Sequence, residues 1–215
     1  IRAVYPYRAS DDGRIVAGAT VNFPHGNHFA RSAAIRWHDG APPEYLLDAY
    51  GDRLGVVSAI DSNGRIIFGY DQVRIDDNHP NARQAWYWIS PERQGYLGTL
   101  DNNQTNTYRP WSIVDASHDG SMAVGNFTTS GTESEGFIWT QDTGLTSLRE
   151  VLEHAGLLEE LERTGPWSER AATRTSSSGD LILLEGRSTD PQTDLIVSHG
   201  AILHLTPKVA AIDDP

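Results

Sequence analysis

Residues 117–125 read Ser117-His118-Asp119-Gly120-Ser121-Met122-Ala123-Val124-Gly125: a polar tetrapeptide ending in glycine, a short apolar run and a second glycine. A glycine at this place takes the positive φ that a tight hairpin demands, and a Ser or Asp before it accepts a backbone N–H. The turn glycines of successive copies lie 51, 56 and 59 residues apart. The other three turns are Ser10-Asp11-Asp12-Gly13, Asp61-Ser62-Asn63-Gly64 and Ser176-Ser177-Ser178-Gly179. The chain therefore contains four diverged copies of one β-unit.

A polar loop and another strand follow each hairpin. In three copies that strand ends in tryptophan, at Trp37, Trp88 and Trp139, and the fourth copy has Ala201-Ile202-Leu203-His204 there. The β-branched and aromatic residues of these runs favour strands. Each copy is predicted to form a small antiparallel sheet with one apolar face, which must be buried against a neighbouring copy. We expect the three tryptophans to pack between the sheets.

One segment departs from the β pattern. From Ser147 to Gly165 apolar residues recur at helical spacing, and Ser147 with Glu150 forms the sequence signature of a capping box. Gly156 marks the predicted end of a first helix, and a second short helix is predicted to end at Gly165-Pro166. We expect this pair as an insert at 147–165 between the third and fourth copies.

At 215 residues the chain is expected to form one repeat domain over residues 1–205, with a C-terminal tail at 206–215. The predicted copies are at 5–50, 54–101, 109–148 and 167–205.

Composition excludes several classes of function. The chain has no cysteine, which excludes disulfides, thiolate-bound zinc and a cysteine nucleophile. Its formal net charge of −12 argues against nucleic acid and anionic membranes as partners. No apolar run is long enough for a membrane helix. Because the chain opens at Ile1 without an initiator Met, we expect a processed or trimmed product whose export signal lay in the missing part.

The repeat motif resembles a known family. The Ser-x-Asp-Gly turn, the apolar strand closed by glycine, the strand ending in Trp and a following Gly-Leu-x-x-Leu are similar to the bacterial extracellular HAF repeat. The third copy matches it best, with Gly136-Phe137-Ile138-Trp139 and Gly144-Leu145-Thr146-Ser147-Leu148. The resemblance covers about residues 5 to 205. It implies stacking like that of a β-propeller, in a bacterial protein of the cell surface, periplasm or medium, with no activity attached.

The expected fold class is therefore all-β, a four-repeat β-propeller-like assembly of small antiparallel sheets with a short helical insert. Propellers have four to eight blades. Two alternatives stay open: four copies close a ring of large blades, or they form part of a longer array or an open stack.

A first candidate site lies in the loops of copies one and two. His25 with His28, and Asp76 with His79, form i, i+3 pairs at equivalent offsets between the second glycine and the tryptophan. If equivalent loops share one rim, these side chains converge. They would then suit a zinc-like divalent ion, the one cofactor considered, or a polar ligand. The alternative is that these are ordinary polar surface loops.

A second candidate site lies on the first strand of each copy. Five residues before the turn glycines stand Arg8, Ala59, Asp115 and Arg174. If this strand is innermost, the column points into a central channel, where it forms either a structural ion-pair cluster or an anion-binding funnel. The choice of face depends on strand register.

No catalytic motif accompanies these residues. The leading hypothesis is a non-catalytic cell-surface or secreted module that binds a glycan or a protein through its loops. The alternatives are a hydrolase or lyase acting on polysaccharide through paired carboxylates or a rim metal, and a structural spacer. Candidate stacking groups for a glycan are Tyr5, Tyr7, Tyr50, Tyr70, Trp86, Tyr87, Tyr96 and Tyr108. We expect most of them to pack inside the fold.

Overall fold

A computed structural model describes most of the chain. It covers residues 2–22, 32–73, 82–98, 100–101, 107–108, 110–128, 134–163, 169–189, 193 and 196–205.

The described residues form four small antiparallel sheets in chain order. The first sheet contains β1 (Arg2–Ala9), β2 (Ile15–Asn22), β3 (Ser32–His38) and β4 (Glu44–Tyr45). The second contains β5 (Val56–Ile60), β6 (Ile67–Val73), β7 (Ala82–Ser90) and β8 (Arg93–Tyr96). A short pair, β9 (Leu100–Asp101) and β10 (Thr107–Tyr108), comes before the third sheet.

The third sheet contains β11 (Pro110–Ala116), β12 (Met122–Thr128), β13 (Ser134–Thr140) and β14 (Gly144–Ser147). Two helices follow, α1 (Leu148–His154) and α2 (Leu158–Arg163). The fourth sheet contains three strands: β15 (Glu169–Thr175), β16 (Leu181–Thr189) and β17 (Ile196–His204). A single parallel bridge, Glu135 with Arg170, joins it to the third sheet. The predicted all-β fold with a helical insert is confirmed.

The four hairpin turns form at the tetrapeptides that end in glycine, as predicted. The four turn glycines have φ between 68° and 75°. In three turns the first residue is a serine, at Ser10, Ser117 and Ser176, whose Oγ accepts the backbone N–H five residues later at 3.0 Å. In the second turn Asp61 Oδ1 accepts the N–H of Ile66 at 2.8 Å instead.

Every first strand contains a β-bulge at the same place. The register between the first and second strands shifts by one residue in each sheet, which leaves Tyr7, Ser58, Val114 and Thr173 as the extra residues. The second glycine lies close to this bulge. A Cβ built on Gly18 would lie 2.1 Å from the carbonyl oxygen of Tyr5, and one on Gly125 would lie 2.1 Å from that of Ser112. Glycine is required because the first strand approaches too closely for a side chain.

The turns of successive repeats are joined by backbone hydrogen bonds. The second turn residue donates its N–H to the carbonyl of its counterpart in the next repeat: Asp11 to Ser62 at 2.8 Å, Ser62 to His118 at 3.2 Å and His118 to Ser177 at 2.8 Å. This ladder fixes the spacing of all four repeats along one edge of the molecule.

A hydrophobic cluster lies between each pair of consecutive sheets. The cluster between sheets one and two includes Ala17, Leu46, Ile67 and Trp88. Between sheets two and three, the ring centre of Phe68 lies 5.7 Å from that of Trp139 at 76°, an edge-to-face contact. Each fully buried large side chain stabilises the fold by about 1.5–3 kcal/mol. The packing between copies, rather than any single sheet, therefore holds the molecule together.

The repeat tryptophans follow this rule with one exception. Trp88 and Trp139 are 4% and 5% exposed, as predicted. Trp37, in the first repeat, is half-buried.

The helical insert also matches its prediction. Ser147 caps α1 by accepting the N–H of Glu150 at 3.0 Å, and Gly156 has a positive φ just after the helix. Leu148, Leu152 and Leu158 are buried in the cluster between the third and fourth sheets. The helices therefore complete the core beside a fourth sheet that has three strands instead of four.

The four sheets form an open succession in the described part of the chain. Extensive contacts join repeats one and two, two and three, and three and four, and none of comparable extent joins the first repeat to the fourth there. Among the described residues, no helix has the length and apolar character needed to cross a membrane.

Candidate functional site

The four residues of the predicted rim site lie outside the described residues. His25 and His28 belong to the segment 23–31, and Asp76 and His79 belong to 74–81. In the chain, both segments come between the second and third strands of their sheets. Within the described ranges, no group of three or more His, Asp or Glu side chains is placed to hold a metal ion. The metal hypothesis for these loops stays a prediction.

The four residues of the second predicted site, five positions before the turn glycines, all lie in the described part of the chain. They do not share one kind of environment. Arg8 and Arg174 are exposed, and each donates from Nη1 to the carbonyl of the bulge residue before it, at 3.0 and 2.6 Å. Ala59 is 2% exposed and belongs to the core between sheets two and three.

Asp115 is half-buried and connects two repeats. Its Oδ2 accepts the backbone N–H of Thr175, on the first strand of the fourth repeat, at 3.1 Å. Among the described residues no ion pair joins Asp115 to Arg8 or Arg174. Asp115 therefore has a structural role in joining the third and fourth repeats. The anion-binding interpretation of the two arginines stays a prediction.

A cleft of about 450 Å³ opens between the first and second repeats, on the turn side of the sheets. Its apolar lining comes from both repeats, and polar side chains stand at its edge. The lining residues are Ile15, Arg36, His38, Ala41, Pro42, Glu44, Gly64, Arg65 and Ile89. The volume lies in the range of small-ligand pockets.

Two contacts hold Arg36 in place at the cleft. Its guanidinium lies 4.6 Å from the centre of the Trp88 ring and its Nε donates to Glu44. Cation–π stacking and a carboxylate partner together fix the planar guanidinium group, so a ligand meets it already ordered. The residues come from β3, β4 and β7, which are positioned by the packing of sheets one and two.

Arg65 is the freer cation of the cleft. Its side chain is 67% exposed, and its nearest carboxylate oxygen is Asp61 Oδ2 at 4.0 Å. Asp61 itself is fully buried, and that burial raises its pKa above the ordinary 3.8 despite the opposing backbone N–H groups. The 4.0 Å separation and the exposure of the Arg65 side chain leave its guanidinium accessible at the opening.

A second group of titratable side chains lies where the first repeat connects to the second. Asp71 accepts the N–H of Gly55 and the hydroxyl of Tyr96, the latter at 3.2 Å. Burial raises the pKa of Asp71, and burial together with the Asp71 charge raises that of Tyr96 to about 12. Asp48 accepts the N–H groups of Tyr50 and Asp52. Both carboxylates hold the connection between repeats, so this group does not supply the unengaged pair that glycoside cleavage requires.

The candidate stacking aromatics separate into two groups. Trp86 is fully buried, and the ring centre of Tyr87 lies 5.3 Å from that of Trp139, so these two pack inside, as expected for most of the group. The side chain of Tyr108 lies outside the described residues, and Tyr70 is half-buried. The exposed ones are Tyr5, Tyr7, Tyr50 and Tyr96.

Sequence reasoning missed the cleft. Its cations stand on different repeats, and neither Arg36 nor Arg65 belongs to a recognisable motif. The one available signal was the position of Arg36 directly before the repeat tryptophan, where copies two and three carry Tyr87 and Ile138.

Neither a family model nor a curated protein sequence matches the chain, so membership of the HAF-repeat family is not confirmed. Solved structures do match. The β-propeller domain of the Trilobed protease from Pyrococcus furiosus is 10% identical, with a TM-score of 0.52 over 100% of this chain and 54% of that one. The putative TolB from Agrobacterium tumefaciens is 13% identical, with a TM-score of 0.51 over 92% and 63%. TolB from Acinetobacter baumannii is 13% identical, with a TM-score of 0.49 over 95% and 44%.

These likenesses concern the fold. The chain is a β-propeller-like array. It spans less than two thirds of each of these structures. At such identities, the two matches with TM-scores above 0.5 establish architecture without function.

Proposed function

We propose that this chain is a non-catalytic module that binds another protein, and that the cleft between repeats one and two takes a short acidic segment of that protein. The main support for the proposal is that two arginines stand at the opening of the cleft. On a chain with net charge −12, Arg36 and Arg65 stand beside an apolar lining of Ile15, Pro42 and Ile89. A peptide carboxylate next to an apolar side chain complements both features.

The state of the two arginines supports a ligand rather than a purely structural role. Arg36 is ordered by Trp88 and Glu44, which lowers the entropic cost of using it. Arg65 is exposed, and the ion pair that it forms among the described residues is with the buried Asp61 at 4.0 Å. A ligand carboxylate placed between them would gain charge-assisted hydrogen bonds, which contribute about 1.5–3 kcal/mol each.

A displayed library of random peptides tests the proposal. We expect selection on the full chain to enrich peptides with Asp or Glu beside an apolar residue. These should bind the Arg65→Glu chain about ten-fold or more weakly, since a single charge-assisted bond is worth at least that factor. Arg149→Glu, on α1 and outside the cleft, is the matched control and should bind normally. Enriched peptides that bind both variants like the wild type would overturn the cleft as the site.

A glycan is a second candidate ligand, favoured by one specific observation. Tyr5 and Tyr7 are 43% and 42% exposed, and Tyr5 and Tyr70 both lie close enough to Tyr7 to raise its pKa in addition to its partial burial. Adjacent exposed aromatic rings suit stacking against sugars. A polysaccharide that binds there should raise the melting temperature of the wild type. Tyr7→Ala should abolish this shift, and Tyr50→Ala should leave it unchanged. Mass spectrometry of the same mixtures would reveal cleaved product if the chain were an enzyme instead.

The proposed setting is the outer surface of a bacterium, its periplasm or the surrounding medium. The support is the resemblance of the repeat to the extracellular HAF repeat. Fractionation of cells that express the full-length protein, with detection by antibody, would contradict this placement if all of it stayed in the cytoplasm.

A further inference from the structure

Arg36 already has a carboxylate partner inside the cleft. Arg36 on β3 and Glu44 on β4 are cross-strand neighbours, and the Nε of Arg36 donates to Glu44. The two side chains are 25% and 54% exposed, so the pair lies where an entering ligand would contact it. A ligand therefore meets an arginine whose charge is balanced by one carboxylate.

One edge of the Arg36 guanidinium is open to a ligand. The group lies 4.6 Å from the centre of the Trp88 ring, and its Nε is occupied by Glu44. Among the described residues, its two terminal nitrogens donate to no acceptor. Two parallel N–H···O bonds from these nitrogens fit a carboxylate without displacing Glu44. The same fork also fits a phosphate group, so geometry alone does not distinguish the two anions.

The other charged groups around the cleft are also paired. Arg65 Nε lies 4.0 Å from Oδ2 of the buried Asp61. Arg14 Nε lies 2.8 Å from Asp39 Oδ1, and His38 Nε2 lies 3.5 Å from Asp39 Oδ2. Each arginine at or beside the opening thus has an acidic neighbour. The cleft offers directed N–H donors with little surplus positive charge.

We infer that Glu44 sets the charge of the group that the cleft accepts, so that the acidic segment is recognised through an Asp or Glu carboxylate and not through a phosphorylated side chain. This inference rests on the proposed function of the cleft. A carboxylate brings one negative charge to the open edge of Arg36, whereas a phosphate brings about two at neutral pH. The second charge lies beside Glu44, and Arg65 is already shared with Asp61. One like charge at about 4 Å in water lowers affinity about five-fold.

One enriched library peptide, synthesised in three labelled forms, tests this inference. The forms carry the selected Asp or Glu, phosphoserine in its place, or serine as the uncharged reference. Fluorescence anisotropy with the full chain measures the three affinities. The wild type should bind the carboxylate form about five-fold or more tightly than the phosphoserine form. Because this preference is electrostatic, it should shrink in about 1 M salt, where the Debye length is about 3 Å.

Glu44→Gln changes the charge of the cleft and keeps an oxygen that accepts from Arg36. It should tighten binding of both charged forms, and more so of the phosphoserine form, because two charges then lose the repulsion of Glu44. The preference for the carboxylate form should fall about five-fold. Glu153→Gln is the matched control, because Glu153 pairs with Arg149 Nε on α1, outside the cleft, and the two side chains are 52% and 50% exposed. It should leave all three affinities unchanged.

The outcomes separate this inference from the proposed function. If Arg65→Glu weakens binding but Glu44→Gln leaves the ratio of the two affinities unchanged, the role of Glu44 is wrong and the cleft remains the site. If no enriched peptide depends on Arg65, both are wrong. A wild type that binds the phosphoserine form as tightly as the carboxylate form also overturns the inference. That comparison and its salt dependence need no variant, so they decide the matter even if thermal unfolding shows that Glu44→Gln does not fold.

Discussion

The first residue of each turn decides how that turn is held closed. Ser117 accepts the N–H of Met122 and donates its hydroxyl to Asp119 Oδ1 at 2.8 Å, and Ser10 does the same with Asp12 at 2.7 Å. In the fourth repeat Ser176 donates to Asp180. These bonds, with backbone N–H groups or a second serine, lower the pKa values of all three carboxylates. The acidic turn residues are thus explained by hairpin chemistry.

The second repeat departs from this scheme, and the departure predicts an unusual pH dependence. Asp61 replaces the serine, is fully buried, and leaves Oδ2 without a hydrogen-bond partner. Because burial raises its folded pKa above 3.8, the contribution of Asp61 to stability is most favourable below that pH and declines as pH rises through the folded value.

Asp61→Ser should therefore raise the free energy of unfolding at neutral pH by about 1–2 kcal/mol, since an unpaired buried polar atom costs about that much. The gain should shrink as pH falls through the folded pKa of Asp61, because the wild-type carboxyl then binds a proton and loses its charge. Urea unfolding at one pH above and one pH below that pKa measures it. Ser117→Asp, the reverse exchange in the third repeat, should lose stability at neutral pH. Equal effects of Asp61→Ser at both pH values would contradict the buried-carboxylate account.

At the scale of elements, the bulge and the second glycine act as one unit. The extra residue twists the first strand against the second, and the glycine lets the two backbones approach. The fourth repeat has Leu184 at the glycine position, where the side chain is 2% exposed and packs in the core beside the helices. This substitution coincides with the repeat that carries three strands and receives the helical insert.

Gly125→Ala should destabilise the chain by about 1–3 kcal/mol, the usual cost of overpacking. The added Cβ would lie 2.1 Å from the carbonyl oxygen of Ser112 and 2.6 Å from the Phe137 ring. Gly200→Ala is the matched strand control, because its Cβ would meet only the Leu184 carbonyl oxygen at an ordinary 3.9 Å. The shift in the urea midpoint measures both. A tolerated Gly125→Ala would show that the first strand moves away easily.

The sequence predicted those elements whose signals are local. The four turns were visible because glycine and a Ser or Asp stand at fixed places, and α1 was visible because Ser147, Glu150 and Gly156 mark its ends. The bulges were not predictable, because an extra strand residue changes pairing without changing composition. Trp86 lies two residues before the repeat Trp88, so strand alternation places both side chains on one face, and both are buried.

At the scale of the whole molecule, the repeat number and all-β class followed from spacing, but the candidate site did not. The cleft exists only because Arg36 and Arg65 are brought together when sheet one packs on sheet two. The strand column illustrates the same limit: Arg8, Ala59 and Asp115 occupy equivalent positions, yet one is exposed, one lies in the core and one bonds the next repeat. Equivalent positions in successive repeats therefore have different roles, because the residues that surround them differ.

The central claim is that one interface, anchored by the turn ladder, orders the four repeats. Amide hydrogen exchange tests it most directly, because every ladder donor is a backbone N–H. The account predicts slow exchange for the N–H groups of Asp11, Ser62 and His118, which donate along the ladder, and fast exchange for Ser177, which does not. Equally fast exchange at all four turn positions would contradict it, since the repeats would then be held without the ladder.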